Sequence, residues 1–371
     1  MDTMEQLAAR LVIAGIRGPI ATDDELDLVR RGIGGVILFS RNVQDPAQVA
    51  TLARQLKSAA PGPLMISIDQ EGGRVQRLRP PHWTALPTMR RLGELDDVAI
   101  AARLGTLMAQ ELTACGIDQD FAPVVDVNTN AANPVIGNRA FSSDPQQVAK
   151  LGVALATALE KAGIASCAKH YPGHGDTSQD SHHTLPRLSH DLARLRSCEL
   201  IPFFAAARAG VASLMTAHVV FEELDEKPAT LSSRVMRILR EEIGYAGCVI
   251  SDDLEMAAIA KGVGVREGAA LSVMAGCDAV LVCHSLKLQH EAIDAIANAA
   301  RSGPMPYARL QEAAARVAVL QKFAKPASAI EPARAAAACA TSESRAFVES
   351  LAAQAKDASL NAAIDPTEKR A

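Results

Sequence analysis

Aromatic residues are scarce in this chain. They make up 3 % of its 371 residues, and Trp83 is the single tryptophan. So few rings argue against long rows of exposed stacking platforms and leave a small pocket for one end of a short substrate. Charge of one sign is also missing. The formal net charge is −4, which lacks the cationic footprint of a nucleic-acid or polyanion binder. No apolar run approaches the ~20 residues of a membrane span. The start, Met1-Asp-Thr-Met-Glu-Gln, has no basic region, and Leu11–Ile16 is too short for the core of a signal peptide. The expectation is a cytoplasmic protein with no membrane partner. The seven cysteines form no CxxC pair and are odd in number. They read as reduced, buried small hydrophobes and exclude a disulfide framework.

What is present is an ordinary globular balance, 49 % apolar and 22 % charged residues. Short apolar runs alternate with amphipathic stretches. Strands are expected at Leu11–Ile16, Gly35–Phe39, Leu64–Asp69, Ile117–Val127, Ser166–Tyr171, Ser213–Val219, Cys248–Asp252 and Ala279–His284. Most are continuous Val, Ile and Leu, as strands covered on both faces must be. Helices are expected between them. Thr22 caps one that starts at Asp23, and Asp45-Pro46 opens the next. Asp144-Pro145 repeats that signal for Pro145–Ala162, followed by Ser189–Gly210, Ser232–Ile243, Ala257–Gly276 and Leu286–Arg301. This alternation predicts an α/β protein, a single-domain (β/α)8 TIM-type barrel over residues 1–325. An open doubly wound sheet is the alternative, but no GxGxxG follows the first strand. Residues 326–371 are Ala-rich, with Pro326, Pro332 and Pro366, and are expected to form a helical or partly disordered tail on the barrel surface.

A barrel of this kind carries its active site at the C-terminal ends of the strands. Polar groups gather there: Asp69, Asp126, Lys169-His170, His218, Ser251-Asp252-Asp253 and His284. Helix capping accounts for some of the acids, but not for Lys169, His170 or His218. Histidines cluster in and after the loop Lys169-His-Tyr-Pro-Gly-His-Gly-Asp-Thr-Ser-Gln-Asp-Ser-His-His-Thr-Leu-Pro186. Three readings of this loop stand open. It could bind a metal through His170, His174, Asp180, His182 and His183, although no His-x-His or cysteine pair supports this. It could be tied by its own side-chain hydrogen bonds. Or Asp180 and His182 could form a carboxylate–imidazole pair that delivers and recovers a proton.

Four blocks share a resemblance. Lys169 to Asp176 with Asp180-Ser-His182, Ile68-Asp-Gln-Glu-Gly-Gly-Arg-Val-Gln-Arg77, Val249-Ile-Ser-Asp-Asp-Leu-Glu-Met256 and Asn138-Arg-Ala-Phe141 occur in the order found in bacterial β-N-acetylglucosaminidases of glycoside hydrolase family 3. The likeness runs from about Leu7 to Lys325. It implies Asp252 as nucleophile, His182 as acid/base and Asp180 as its partner. It also implies Asp69, Arg77, Arg139, Lys169 and His170 as the groups that hold the terminal sugar, with His218 a weaker match at the pocket edge. Each has a plainer reading: Asp252 or Asp253 as a helix cap, Asp69 and Arg77 as an ion pair, Lys169 as a rim salt bridge. His82, His174, His183, His190, His284 and His290 are read as structural.

The resemblance further implies a retaining exo-acting enzyme of peptidoglycan recycling. Its substrates would be short muropeptides in which N-acetylglucosamine is linked to anhydro-N-acetylmuramic acid. No cofactor or metal and a monomer are expected. Many relatives carry a second domain that can supply a Glu as acid/base, and the stretch after Lys325 is too short for one. A phosphorylase on the same site is the near alternative, because a neutral histidine does not repel phosphate. A catalytically silent sugar-binding protein is the alternative from another class.

Overall fold

A computed structural model describes residues 2–179 and 184–353. The expected strands form one parallel sheet with short regular cores: β1 (Val12–Gly15), β2 (Gly35–Leu38), β3 (Met65–Ile68), β4 (Gln119–Asp120), β5 (Cys167–Tyr171), β6 (Ser213–Thr216), β7 (Cys248–Asp253) and β8 (Ala279–Val282). Their order is β4-β3-β2-β1-β8-β7-β6-β5. Parallel bridges Gln119–Ala165 and Val124–Lys169 join the two end strands, so the sheet closes into a barrel. Every residue of β1, β2, β3, β5, β6 and β8 is buried. This agrees with the continuous apolar sequence of β1, β2 and β8, whereas β5 buries Lys169 and His170 as well. The strand expected over Ile117–Val127 is regular only at Gln119–Asp120, because Pro123 offers no amide to the ladder. Pairing with β5 continues irregularly, Val125 N donating to Lys169 O at 2.8 Å. That pairing brings Asp126 beside Lys169 and His170.

The connecting helices start where the caps predict. Glu25 accepts from the Thr22 amide at 2.9 Å, and the Asp45 side chain accepts from Gln48 N at 2.9 Å. Two long helical expectations are broken. Ser189–Gly210 is instead Leu192–Ser197 and Ile201–Ala209. Pro202 cannot sit inside a continuous helix, since its ring would meet the carbonyl of Cys198. Ala257–Gly276 is instead Ala257–Ala260 and Val265–Ala275, separated at Gly264 with φ +82°. Ser232–Ile243 keeps its α-helix only over Ser233–Arg237 and widens into a π-turn at Ile238–Glu242. Two further long helices, Val98–Ala114 and Tyr307–Leu320, complete the outer layer.

Beyond Lys325 the chain stays against the barrel. Ile330, Cys339, Phe347 and Leu351 are buried, and Ser342–Ala353 is helical. The anchor is a buried ion pair at the N-terminal face. Lys57 Nζ lies 2.5 Å from Asp118 Oδ2 and donates to Lys325 O at 2.8 Å, and Lys325 N donates to Asp118 Oδ1 at 2.9 Å. Among the described residues no helix is long and apolar enough to cross a membrane. All seven cysteines are free and buried.

Removing one partner of a buried pair strands the other charge. Lys57→Met is therefore expected to lower unfolding free energy by about 3–5 kcal/mol. Urea denaturation checks this, and the double variant Lys57→Met with Asp118→Leu should regain most of the loss.

Candidate active site

The side chains at the C-terminal ends of the strands converge on one pocket. Asp69, Arg139, Lys169, His170 and Asp252 all line it, with about 660 Å³ of empty space counted out to the open mouth. Its apolar walls are Ile37, Phe39, Phe121, Val135, Met215, Met256 and Leu281. Trp83 is buried elsewhere, 2 % exposed.

Asp69 ends β3. The chain then folds back as an antiparallel pair, Gln70–Gly72 against Val75–Gln76. The turn needs glycine: Gly72 has φ +97°, and a Cβ there would lie 2.4 Å from Pro87 O. The fold-back sets Arg77 Nη2 3.2 Å from Asp69 Oδ2. Arg77 is fully buried and does not line the pocket. It stands behind Asp69 and orients it.

Lys169 is the centre of the cluster. Its Nζ donates to Asp69 Oδ1 at 2.7 Å and lies 2.6 Å from Glu71 Oε1. Glu71 in turn grips Arg139 with both oxygens, at 2.7 Å to Nε and 2.8 Å to Nη2. Burial alone would push the Asp69 and Glu71 carboxyls up. The cations win: Lys169 and Arg77 hold Asp69 below its usual range, and Arg139 and Lys169 hold Glu71 far below. Burial would likewise strip the Lys169 proton, but Asp69 and Glu71 keep it bound.

His170 follows Lys169 and points its Nδ1 at Asp126 Oδ2, 2.7 Å away. The Asp126 carboxyl also receives the His174 amide at 2.6 Å. The His170 Nδ1 therefore carries the proton, and Nε2 faces Arg139 Nη2 at 3.5 Å. His174 also lines the pocket, with Nδ1 2.8 Å from Thr177 Oγ1. Burial, with help from His170, lowers its pKa to about 4.

Asp252 stands near the end of β7. One of its oxygens accepts the Asp253 amide at 2.8 Å. Asp253 is the helix-cap-like member of the pair: its Oδ1 accepts from Glu255 N at 3.0 Å and Cys283 N at 3.3 Å. His218 lies at the end of β6 but does not line the pocket and is fully buried. Its Nε2 donates to Asp253 O at 3.0 Å, and its Nδ1 meets Thr230 Oγ1 at 2.8 Å. It clamps the backbone just after Asp252.

Asp180 and His182 lie outside the described residues, as does His183. The metal reading of the loop thus loses three of its five donors from view. The rings of His170 and His174 are bonded to Asp126 and Thr177. Among the described residues no group of three metal-ligating side chains converges. The sequence reading did not single out Glu71 or Phe39, and it read His174 and His284 as structural, although both line the pocket. Glu71 was visible as the acid between Asp69 and Arg77. Nothing local told that the chain doubles back and drives it under Arg139.

The Glycosyl hydrolase family 3 N terminal domain matches residues 3–320. The chain belongs to glycosyl hydrolase family 3. A β-hexosaminidase of Neisseria meningitidis serogroup C is 43 % identical to this family 3 hydrolase over 290 residues, 76 % of this chain and 80 % of that protein. A solved family 3 β-N-acetylglucosaminidase from Paenibacillus sp. FPU-7 is 40 % identical with a TM-score of 0.88, over 95 % of this chain and 68 % of that one. NagZ from Neisseria gonorrhoeae, solved with N-trifluoroacetyl-D-glucosamine, is 38 % identical with a TM-score of 0.78, over 92 % of this chain and 98 % of its own.

Two measurements test this geometry. His218→Ala in this hydrolase should lower kcat by about tenfold, roughly 1.4 kcal/mol, with little change in KM. His218→Gln, whose amide reaches the position of Nε2, should restore most of the rate. The depressed pKa of His174 makes the folded state bind fewer protons than the unfolded one between pH ~6.5 and ~4. Its stability contribution is thus complete above pH ~6.5 and is lost as pH falls toward 4, with a slope of up to about 1.4 kcal/mol per unit. Urea unfolding at pH 7.5 and pH 5 should show this slope in the wild type and a smaller one in His174→Asn.

Proposed function

We propose that this family 3 hydrolase is a retaining exo-β-N-acetylglucosaminidase that removes terminal N-acetylglucosamine from short cell-wall muropeptides in the cytoplasm, as a step of peptidoglycan recycling. The observation that carries the reading is the pocket that Asp252 on β7 shares with the Asp69–Lys169–Glu71–Arg139 cluster from β3 to β5, its neighbour Asp253 also lining the pocket but with one oxygen held by the Glu255 and Cys283 amides. The named activities of the Neisseria and Paenibacillus relatives support the sugar.

In this reading the cluster grips the hydroxyls of the terminal sugar. Asp69 accepts hydroxyl protons, while Lys169, Arg139 and His170 supply further polar contacts. Asp252 attacks the anomeric carbon. A C1–Oδ bond forms as the bond from C1 to the leaving oxygen breaks, and that oxygen takes a proton from His182. Asp180 fixes the His182 ring for this transfer. Water then attacks C1, His182 takes its proton, and Asp252 departs as carboxylate. The sugar leaves with its original β configuration. The pairing of Asp180 with His182 rests on the sequence.

The test is nitrophenol release from 4-nitrophenyl N-acetyl-β-glucosaminide. Asp252→Asn should lower kcat by roughly 10³-fold or more. The first-formed sugar from wild-type turnover should be the β anomer by proton NMR. A large acceleration by phosphate would move the assignment to a phosphorylase. Sugar affinity without turnover by the folded wild type would make the chain a binding protein.

A further inference from the structure

Asp126 is 0 % exposed and does not line the pocket. Among the described residues its donors all come from one turn, His170 to His174, and none is a lysine or arginine. The His174 amide donates to Oδ1 at 2.6 Å, and the His170 ring Nδ1 donates to Oδ2 at 2.7 Å. The His170 amide points between the two oxygens, 3.3 Å from each. Each oxygen thus has its own short donor. Burial would raise this carboxyl, but the His170 ring and the His174 amide hold it below its usual range.

This arrangement sets the polarity that His170 shows to the pocket, which it lines. An ionised carboxylate only accepts hydrogen bonds, so Nδ1 carries the ring proton and Nε2 keeps a lone pair. Nε2 lies 3.5 Å from Arg139 Nη2, and a second ring proton there would face a guanidinium donor. A sugar group that meets Nε2 must then be a donor, and on a sugar that is a hydroxyl. The pairing leaves no slack. Asp126→Asn keeps the shape but has one oxygen and one NH2. If the oxygen takes Nδ1, the NH2 collides with the His174 amide. If it takes the amide, the NH2 faces Nδ1 and the ring proton must move to Nε2. The backbone amide cannot change its polarity and the ring can.

We propose that Asp126 is a positioning residue that fixes the His170 tautomer, so that His170 accepts a hydrogen bond from a hydroxyl of the bound sugar. The tautomer is a property of the ligand-free protein. Its consequence for turnover rests on the glycosidase reading of the same pocket.

The test has a spectroscopic and a kinetic arm. Nitrogen-15 NMR of the ligand-free protein, with His170→Phe identifying the His170 signals, should place the ring proton on Nδ1 in the wild type and on Nε2 in Asp126→Asn. With 4-nitrophenyl N-acetyl-β-glucosaminide, Asp126→Asn should lower kcat/KM about tenfold, the scale of one hydrogen bond. Added to His170→Phe, which has no ring nitrogen to misdirect, the same change should cost less than about twofold more. A merely structural role would make the two losses multiply, and that result would overturn the inference. So would an Nδ1 proton in Asp126→Asn, or an Nε2 proton in the wild type, a measurement that stands even if the variant does not fold. Failure of the folded wild type to turn over the glycoside would overturn the glycosidase reading and the hydroxyl assignment with it, while the NMR result would still decide what Asp126 does to the ring.

Discussion

The site depends on Lys169. A buried ammonium is costly unless carboxylates surround it. Here Asp69 and Glu71 do so at 2.7 and 2.6 Å. Each of those carboxylates then needs a second cation, and Arg77 and Arg139 provide it. The result is an alternating chain, Arg77–Asp69–Lys169–Glu71–Arg139, which crosses from the fold-back after β3 to the loop after β4 by way of β5. Segments far apart in sequence are thereby locked into one rigid surface. Such a network is weak evidence of stability, because apolar residues would fill the same space at lower cost. Its retention at the mouth of a pocket makes sense if the charges meet a polar ligand there.

This network also explains what was legible in the sequence and what was not. Asp69, Lys169, His170 and Asp252 were legible because each follows an apolar run and the barrel sends all such positions to one end. Arg139 came from a resemblance, since it sits in an irregular loop with no periodic signal of its own. Glu71 was hidden by topology: the fold-back through Gly72 is visible as two glycines, but its direction is set by contacts with Pro87 and Leu86. Asp126 was seen as a polar strand end, yet its bond to His170 depends on irregular pairing past Pro123. The strands were easier than the helices. Strand burial is read from composition alone, whereas the break at Pro202 requires weighing one residue against a long favourable pattern.

The two ends of the barrel use the same chemistry for different purposes, and counting hydrogen bonds separates them. At the N-terminal end, Asp278 receives Arg240 and Val249 N on one oxygen and Arg309 and Arg316 on the other. Asp118 receives Lys57 and Ile66 N on one oxygen and Lys325 N on the other. Both are 0 % exposed, and their donors come from the protein on every side. These carboxylates stitch the chain and have nothing to offer a ligand. Asp69 differs. One oxygen meets Lys169 and the other Arg77, and the group keeps 12 % side-chain exposure at the pocket wall. A carboxylate has about four acceptor sites. Two strong bonds therefore hold Asp69 ionised and oriented while acceptor capacity remains for hydroxyl donors arriving from the pocket. In the proposed function, that combination, a charge fixed by the protein but not saturated by it, is what suits Asp69 to recognition where Asp118 and Asp278 are structural.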